Sequence, residues 1–140
     1  MARVAKGGGL TEMAKVMIVE DEAITAMSIR LKLRSLGYEV CELLSSGEDV
    51  LKNMETDKPD LIIMDVGLSG KMNGIQTARK IRLCSTVPIV FITGYFDGEL
   101  AKEVNKVSAS WFLQKPFGPQ DIETLAEEIL GQHSVDSGSE

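Results

Sequence analysis

The sequence lacks several features that would point to a membrane, a secretory pathway or a nucleic acid. No apolar run approaches the roughly 20 residues that a membrane-spanning helix needs, and the N-terminus has no secretory hydrophobic segment. Lysine and arginine number 15 against 21 acidic residues, a net charge of −6, which argues against nucleic-acid and anionic-membrane partners. The two cysteines, Cys41 and Cys84, have no metal-type spacing, so reduced thiols in a cytoplasmic protein are expected.

A phosphate-binding glycine loop is also missing. The glycine triplet at 7–9 has neither the spacing of a P-loop nor a strand before it. Residues 1–13 show no periodicity and are predicted to be a flexible N-terminal tail, and the polar residues 132–140 a disordered C-terminal tail. Between them, residues 14–131 have the size of one globular domain, since 44% of the whole chain is hydrophobic and 26% is charged.

What the central segment does contain is a regular alternation of strands and helices. Short apolar runs predict strands at KVMIVE (15–20), YEVCELL (38–44), DLIIMD (60–65), PIVFIT (88–93) and WFLQ (111–114). Helices are predicted over about 23–36, from Ser45 or Ser46 to about 55, over 74–83, from Asp97 to about 107, and from Pro119 to Gly131. On the first helix, Ile24, Met27 and Leu31 share one apolar face.

This alternation predicts a flavodoxin-like three-layer α/β sandwich with five parallel strands and five helices. Crossover helices imply parallel pairing and cover both faces of the sheet, and strands buried on both faces become continuous apolar runs. The strand order 2-1-3-4-5 suits a five-unit chain better than the longer dinucleotide-binding order. In that order the first, third, fourth and fifth strands are neighbours. Trp111, on the fifth strand, is expected either to pack against the fourth helix or to stand exposed as a partner anchor.

Polar residues stand at the carboxyl ends of those four strands. Glu20 and Asp21 follow the first strand, Asp65 the third, Thr93 the fourth and Lys115 the fifth. Three carboxylates in one cleft stay ionised together only when a cation neutralises them, and oxygen ligands favour Mg²⁺. A carboxylate beside Mg²⁺, a hydroxyl and a lysine suits phosphoryl transfer, with Asp65 as the nucleophile that forms an aspartyl-phosphate. Lys115 and Thr93 would contact the oxygens of the moving phosphoryl group.

The same residues carry a resemblance to a known family. VMIVEDE (16–22), DLIIMD, VPIVFITG (87–94) and WFLQKPF (111–117) resemble the signature segments of the receiver domain of two-component response regulators, over about residues 14–131. The resemblance implies that Asp65 accepts a phosphoryl group from a histidine kinase or a histidine phosphotransfer protein. It implies that Asp21 and Asp65 bind Mg²⁺ directly and that Glu20 does so mostly through water. The Gly67 carbonyl would complete the ligands, and the peptide bond before Pro116 would be cis.

The resemblance also implies a conformational switch. Thr93 would move toward the phosphoryl group and Phe112 would turn inward, which remodels the face formed by the fourth helix, the fifth strand and the fifth helix. The sequence leaves open whether that face also forms a homodimer, and it does not identify the downstream effector. The resemblance further implies that Gly67 and Tyr95 occupy positions that tune how long the phosphoryl group stays, and a moderately long-lived phospho-form is expected. The loop after Asp65 departs from the family pattern, because it lacks the usual proline and is one residue longer.

Three other functions compete with a phosphorylation-activated signalling switch. An aspartyl phosphatase of the haloacid dehalogenase type needs a second acid two residues after the first, where this chain has Gly67. A flavin binder needs a hydroxyl-rich phosphate loop after the first strand, where the acidic segment EDEAIT lies. A receiver-like module that binds partners without phosphorylation would not need all of the acids, the threonine and the lysine together. We therefore predict a phosphoacceptor domain that assists its own phosphorylation and dephosphorylation, and not an enzyme.

Overall fold

A computed structural model describes residues 2–4 and 11–131 of the chain. Its strands are β1 (Ala2–Val4), β2 (Thr11–Met13), β3 (Lys15–Val19), β4 (Glu39–Val40), β5 (Leu61–Asp65), β6 (Ile89–Thr93) and β7 (Ser110–Gln114). Its helices are α1 (Ala23–Ser35), α2 (Gly47–Asp57), α3 (Gly74–Ile81), α4 (Gly98–Asn105) and α5 (Pro119–Leu130). The predicted helices are therefore present, each close to its predicted bounds.

One parallel sheet, in the order β4-β3-β5-β6-β7, forms the middle of the domain. Counted along these strands alone, the order is 2-1-3-4-5, so the predicted order and the three-layer sandwich are confirmed. The central strands β5 and β6 are buried along their whole length, which explains their continuous apolar sequences. β4 is shorter than predicted, with two residues and an isolated bridge between Leu44 and Val19.

The sheet separates two hydrophobic layers, because successive residues of a strand point to opposite faces. Ile18 and Ile63 lie in the layer formed with α1 and α5. Met17 and Met64 lie in the layer formed with α2, α3 and α4. Both layers therefore pack against the same central strands, and this packing fixes the positions of the carboxyl ends of these strands.

Helix α1 does not bury the apolar face that the sequence analysis singled out. Ile24, Met27 and Leu31 share a face as expected, but they are 81%, 51% and 73% exposed. The helix carries a second apolar stripe at helical spacing, and the sequence alone does not decide which stripe meets the sheet. The buried residues of α1 are Ala26, Ile29 and Leu33.

Trp111 packs on a different helix from the one expected. It lies in the hydrophobic layer that contains α1 and α5, and its indole N–H donates to Glu128 of α5 at 3.3 Å. Trp111 is also partly buried, so neither packing on α4 nor full exposure as an anchor describes it. The register gives the physical reason, because Trp111 pairs with Val90 of β6, which lies in the same layer, and paired residues of neighbouring strands point to the same face of a sheet.

The N-terminal segment contains a strand pair that the sequence did not indicate. β1 and β2 pair antiparallel, with Ala2 opposite Met13 and Val4 opposite Thr11. Each strand has three residues, too few for a recognisable alternation pattern. The predicted flexible tail 1–13 therefore differs at these two stretches, and residue 1 and residues 5–10 lie outside the described residues. The predicted disordered tail 132–140 lies outside them as well.

Polar side chains begin several helices as predicted. The Ser46 hydroxyl, one of the two candidates for α2, accepts the Asp49 N–H at 3.2 Å, and Asp97 accepts the Leu100 N–H at 2.9 Å at the start of α4. These bonds satisfy N–H groups that have no partner inside the helix.

Within the described residues, no helix is long and apolar enough to cross a membrane.

Candidate functional site

Three carboxylates meet at the carboxyl ends of β3 and β5. Val19, the last residue of β3, pairs with Met64, so Glu20 and Asp65 are the next residues on two neighbouring parallel strands. One carboxylate oxygen from each of Glu20, Asp21 and Asp65 lies within 4.8 Å of the other two. The structure thus brings together the acids that the strand order predicted to converge.

Glu20 is the most deeply buried member of this acid cluster. Its side chain has no exposed surface, and burial raises the pKa of its carboxyl to about 7, with the negative charge of Asp65 acting in the same direction. The Glu22 N–H, which donates to Glu20 Oε2 at 2.9 Å, and the nearby Lys115 ammonium oppose this rise. A cation bound beside Glu20 would therefore favour its ionised form.

Asp21 is exposed and is held by the loop that follows β5. Ser69 donates to Asp21 Oδ2 twice, from its hydroxyl at 3.0 Å and from its backbone N–H at 3.4 Å. Desolvation favours a higher pKa for Asp21, but the two hydrogen bonds from Ser69 outweigh it and the pKa is lowered. Sequence reasoning missed Ser69, because a serine in a glycine-rich loop is most simply a turn residue.

Lys115 reaches the acid cluster from the end of β7. Its backbone N–H donates to the Thr93 carbonyl at 2.7 Å, and the peptide bond that follows it is cis, as expected. Its Nζ lies 3.0 Å from Glu22 Oε1, 3.1 Å from Glu20 Oε1 and 3.5 Å from Asp65 Oδ2. Desolvation acts to lower the pKa of the ammonium, but the contacts with the three carboxylates raise it, so Lys115 stays charged.

Thr93 ends the strand next to Asp65, and Gly67 lies in the loop that follows Asp65. Asp65 pairs with Ile92, which places Thr93 one residue further along the neighbouring strand. The Thr93 hydroxyl donates to the Tyr95 carbonyl at 2.9 Å and accepts the Tyr95 N–H at 3.2 Å. The Gly67 N–H donates to Asp65 Oδ1 at 3.0 Å. The Tyr95 side chain is 74% exposed, so its predicted effect on the site stays a prediction.

Phe112 stands at the surface of β7 and stacks on a second aromatic ring. The side chain is 40% exposed, and its ring lies 3.7 Å from that of Phe96, centroid to centroid, with an angle of 4° between the planes. Phe96 directly follows Tyr95, whose backbone holds the Thr93 hydroxyl. The stacked rings are thus connected to Thr93 through one short loop. Sequence reasoning missed Phe96, whose only signal was an aromatic residue three positions after Thr93.

The acid cluster fits a hard divalent cation. Glu20 Oε1 is buried and accepts no hydrogen bond, because Lys115 Nζ approaches it outside hydrogen-bond geometry. A buried carboxylate oxygen without a hydrogen bond is costly, and a cation bound by Glu20, Asp21 and Asp65 would satisfy it. The ligand set consists only of carboxylate oxygens, which is the donor chemistry that Mg²⁺ prefers.

The domain is a parallel α/β sheet with acids, an ammonium and a hydroxyl at the carboxyl ends of its strands. Its acidic pocket is typical of a phosphoacceptor site, and it lies where open α/β sheets hold their ligands. Comparison with known families then identifies the chain. The family described as response regulator receiver domain matches residues 16–127, and the chain belongs to this family of two-component signal transduction.

Individual relatives agree with this assignment. The chain is 34% identical over 108 residues to the transcriptional regulatory protein PdtaR of Mycobacterium tuberculosis, covering 77% of this chain and 52% of that protein. It is 32% identical to the transcriptional regulatory protein PhoP of Bacillus subtilis, covering 86% and 50%. The chain thus spans about half the length of these relatives. The structure of the chemotaxis response regulator CheY4 of Vibrio cholerae is similar, with a TM-score of 0.77 and 30% identity over 84% of this chain and 99% of that chain.

Family membership settles two of the competing interpretations. Receiver domains are typically phosphoacceptors without an enzymatic activity of their own, and they generally act with histidine kinases. The phosphatase and the flavin binder are therefore set aside. A receiver that works without phosphorylation is still an alternative, and the roles of the individual site residues stay predictions.

The buried Glu20 carboxyl should make the metal-free domain less stable as the pH rises. Its pKa is raised from 4.5 to about 7, so between these values the folded chain holds a proton that the unfolded chain has lost, and the free energy of unfolding falls with rising pH. Asp21 and Glu22, whose pKa values are lowered, act in the opposite direction and only at lower pH. In EDTA, we expect urea unfolding to show a loss on the order of 2 kcal/mol between about pH 5 and about pH 7.5.

Two variants and the addition of Mg²⁺ test whether Glu20 causes this pH dependence of the stability. Glu20→Gln should flatten the dependence, because the titrating group is gone, whereas Glu55→Gln on the exposed surface of α2 should leave it unchanged. Saturating Mg²⁺ should recover stability at the higher pH, where the three acids are ionised. Equal slopes in wild type and Glu20→Gln would show that another group titrates.

Proposed function

We propose that this domain is a phosphorylation-activated signalling switch in which Asp65 accepts a phosphoryl group from a phosphohistidine partner. The observation that carries the proposal is the approach of Lys115 Nζ to 3.5 Å from Asp65 Oδ2 beside the acid cluster. A carboxylate nucleophile, a fixed ammonium and a cation site in one place are what phosphoryl transfer to an aspartate requires. The donor would be a histidine kinase or a histidine phosphotransfer protein in the cytoplasm.

The proposed reaction is a displacement at phosphorus. A carboxylate oxygen of Asp65 forms the new P–O bond while the P–N bond to the donor histidine breaks. The electron pair of that bond stays on the imidazole, which takes up a proton. Lys115 balances negative charge on the phosphoryl oxygens during this step. When bound by the acid cluster and the Gly67 carbonyl, Mg²⁺ would supply further positive charge to the same oxygens.

Activation is proposed to begin at Thr93. In the structure its hydroxyl is occupied by the Tyr95 backbone, so it must exchange these bonds for one to a phosphoryl oxygen. That exchange frees the loop that carries Phe96, whose ring now supports Phe112 in its exposed position. Phe112 would then turn inward and change the face formed by α4, β7 and α5. Two states of one packed element, biased by one new bond, are sufficient for such a switch.

Phe96→Leu should shift this equilibrium toward the inward position of Phe112. The substitution keeps an apolar side chain but removes the stacking, and aromatic pairs contribute about 0.5–1.5 kcal/mol beyond their buried area. We therefore expect the inward population to rise about two- to ten-fold in the unphosphorylated domain. Ring NMR signals of Phe112, labelled selectively, would measure it. Tyr95→Ala, which removes a neighbouring exposed ring, should leave the population unchanged. An equal shift in both variants would contradict the proposal that stacking on Phe96 holds Phe112 in its exposed position.

The proposed function is tested by incubating the domain with acetyl phosphate and Mg²⁺ and measuring the intact mass. One phosphoryl group should be added, it should not be added in EDTA, and borohydride reduction followed by peptide mapping should place it on Asp65. After removal of the donor, the modification should decay over minutes or longer. Decay within seconds would contradict the proposed roles of Gly67 and Tyr95, and no uptake from acetyl phosphate or from a phosphohistidine protein would favour a phosphorylation-independent module.

A further inference from the structure

The Lys115 ammonium is held more closely by a residue outside the acid cluster than by the proposed nucleophile. Its distance to Glu22 Oε1 is 3.0 Å, against 3.5 Å to Asp65 Oδ2. The same Glu22 oxygen also accepts the Thr25 hydroxyl at 3.3 Å, which orients the carboxylate. Lys115 is thus drawn toward the start of α1.

The Glu22 side chain does not cap helix α1. Glu22 is the N-cap residue of α1, but its carboxylate makes no capping hydrogen bond. It does not belong to the group of acids whose oxygens lie within 4.8 Å of one another. Its carboxylate is therefore not among the proposed ligands of a cation. In sequence terms Glu22 is the last acid of an acidic triplet, which is most simply a solvated helix start. The contact with Lys115 gives it a specific role.

We propose that Glu22 is a positioning residue that tethers the Lys115 ammonium toward the rim of the site and thereby slows phosphoryl uptake by Asp65. The inference rests on the proposed function, because it concerns the rate of that same reaction. For the ammonium to contact the phosphoryl oxygens fully, it must leave Glu22 and move toward Asp65. The tether is therefore an interaction of the ground state that is lost when the phosphoryl group arrives, and such interactions slow a reaction.

Removing the tether should accelerate phosphorylation moderately. Glu22 is 63% exposed, and exposed ion pairs are weak. We therefore expect Glu22→Gln to raise the second-order rate constant for phosphorylation by acetyl phosphate about two- to five-fold. Glu55→Gln removes the same charge from the exposed surface of α2 and should leave the rate unchanged.

Glu22→Asp separates a tether from simple repulsion of the anionic donor. Aspartate keeps the negative charge but draws the carboxylate back by one methylene, out of reach of Lys115. A tether predicts that both Glu22→Asp and Glu22→Gln accelerate the reaction. Repulsion of the donor predicts that only Glu22→Gln does so, and that result would overturn the inference.

The Lys115 ammonium itself supplies a readout that does not depend on the reaction. Its ¹H–¹⁵N signal at low temperature should shift in both Glu22 variants, because Glu22 contacts the ammonium, and it should stay in place in Glu55→Gln, because Glu55 lies on the exposed surface of α2. If wild type is phosphorylated but the Glu22 variants match Glu55→Gln in rate and in signal, the tether is refuted and the proposed function stands. If wild type takes up no phosphoryl group, the proposed function fails, whatever the signal shows.

Discussion

A chain with Asp65→Asn should take up no phosphoryl group under conditions in which the wild-type domain takes up one. The amide lacks the negative charge and the nucleophilic oxygen that the displacement at phosphorus needs. The substitution preserves shape, and the asparagine carbonyl can still accept the Gly67 N–H, as Asp65 Oδ1 does at 3.0 Å. The loss would therefore report the chemistry of residue 65 rather than a failure to fold. Intact mass after incubation with acetyl phosphate and Mg²⁺ measures it.

A control variant and a second measurement test whether residue 65 itself is the phosphoacceptor. Asp57→Asn makes the same chemical change at the end of α2 and should be phosphorylated like wild type. Asp65→Asn also removes a charge that raises the pKa of Glu20, so the pH slope of its stability in EDTA should become shallower than that of wild type. Phosphoryl uptake by Asp65→Asn at the wild-type rate would place the acceptor on another residue.

The position of the acid cluster could be predicted from the sequence because it depends on topology. β5 and β6 are continuous apolar runs, and a parallel sheet forces the ends of neighbouring strands to one edge. Glu20 and Asp65 follow paired residues at that edge, so their convergence needs no knowledge of side-chain conformations. The chemistry of the residues then supplied the proposed roles of Asp65, Lys115 and Thr93, and the family resemblance supplied those of Gly67 and Phe112.

The contacts around the acid cluster could not be predicted, because they join side chains from segments that are far apart in the sequence. Glu22 looks like an ordinary helix start in the sequence, and only the three-dimensional position of Lys115, 93 positions later, gives it a partner. Ser69 and Phe96 are loop residues whose partners, Asp21 and Phe112, also come from distant segments. No local period or spacing encodes such pairs.

The sequence also could not show which of two similar faces of a helix or strand is buried. Helix α1 has two apolar stripes, and the one with the smaller residue Ala26 meets the sheet. On β7, the alternation of side chains requires Trp111 and Phe112 to face opposite layers, but it does not say which layer each faces. The structure places Trp111 on the α5 side and Phe112 beside Phe96. Each of these is a choice between two local solutions that only the complete core decides.

Gly74→Ala should damage both the stability and the phosphorylation of the domain, because this glycine lies against the backbone of the proposed phosphoacceptor. A Cβ at residue 74 would overlap the Asp65 carbonyl oxygen and would lie 2.9 Å from Val66 Cα and 3.1 Å from the Asp65 carbonyl carbon. All three atoms belong to the backbone, so no flexible side chain can give way. Gly74 is further fixed by its N–H, which donates to the Val66 carbonyl at 2.8 Å.

The expected loss of stability is about 1–3 kcal/mol, the usual range for an inserted methyl group that forces a backbone shift. The shift would displace Asp65 relative to Lys115, so the phosphorylation rate should fall well below that of wild type even where the variant is fully folded. Gly98→Ala is the matched control, since a Cβ at that first residue of α4 meets nothing within 4 Å, and there the change should be neutral or stabilising by up to about 1 kcal/mol. Urea unfolding and acetyl phosphate kinetics on the two variants compare the positions directly. Wild-type behaviour of Gly74→Ala in both measurements would mean that α3 can start further from β5 than the structure shows.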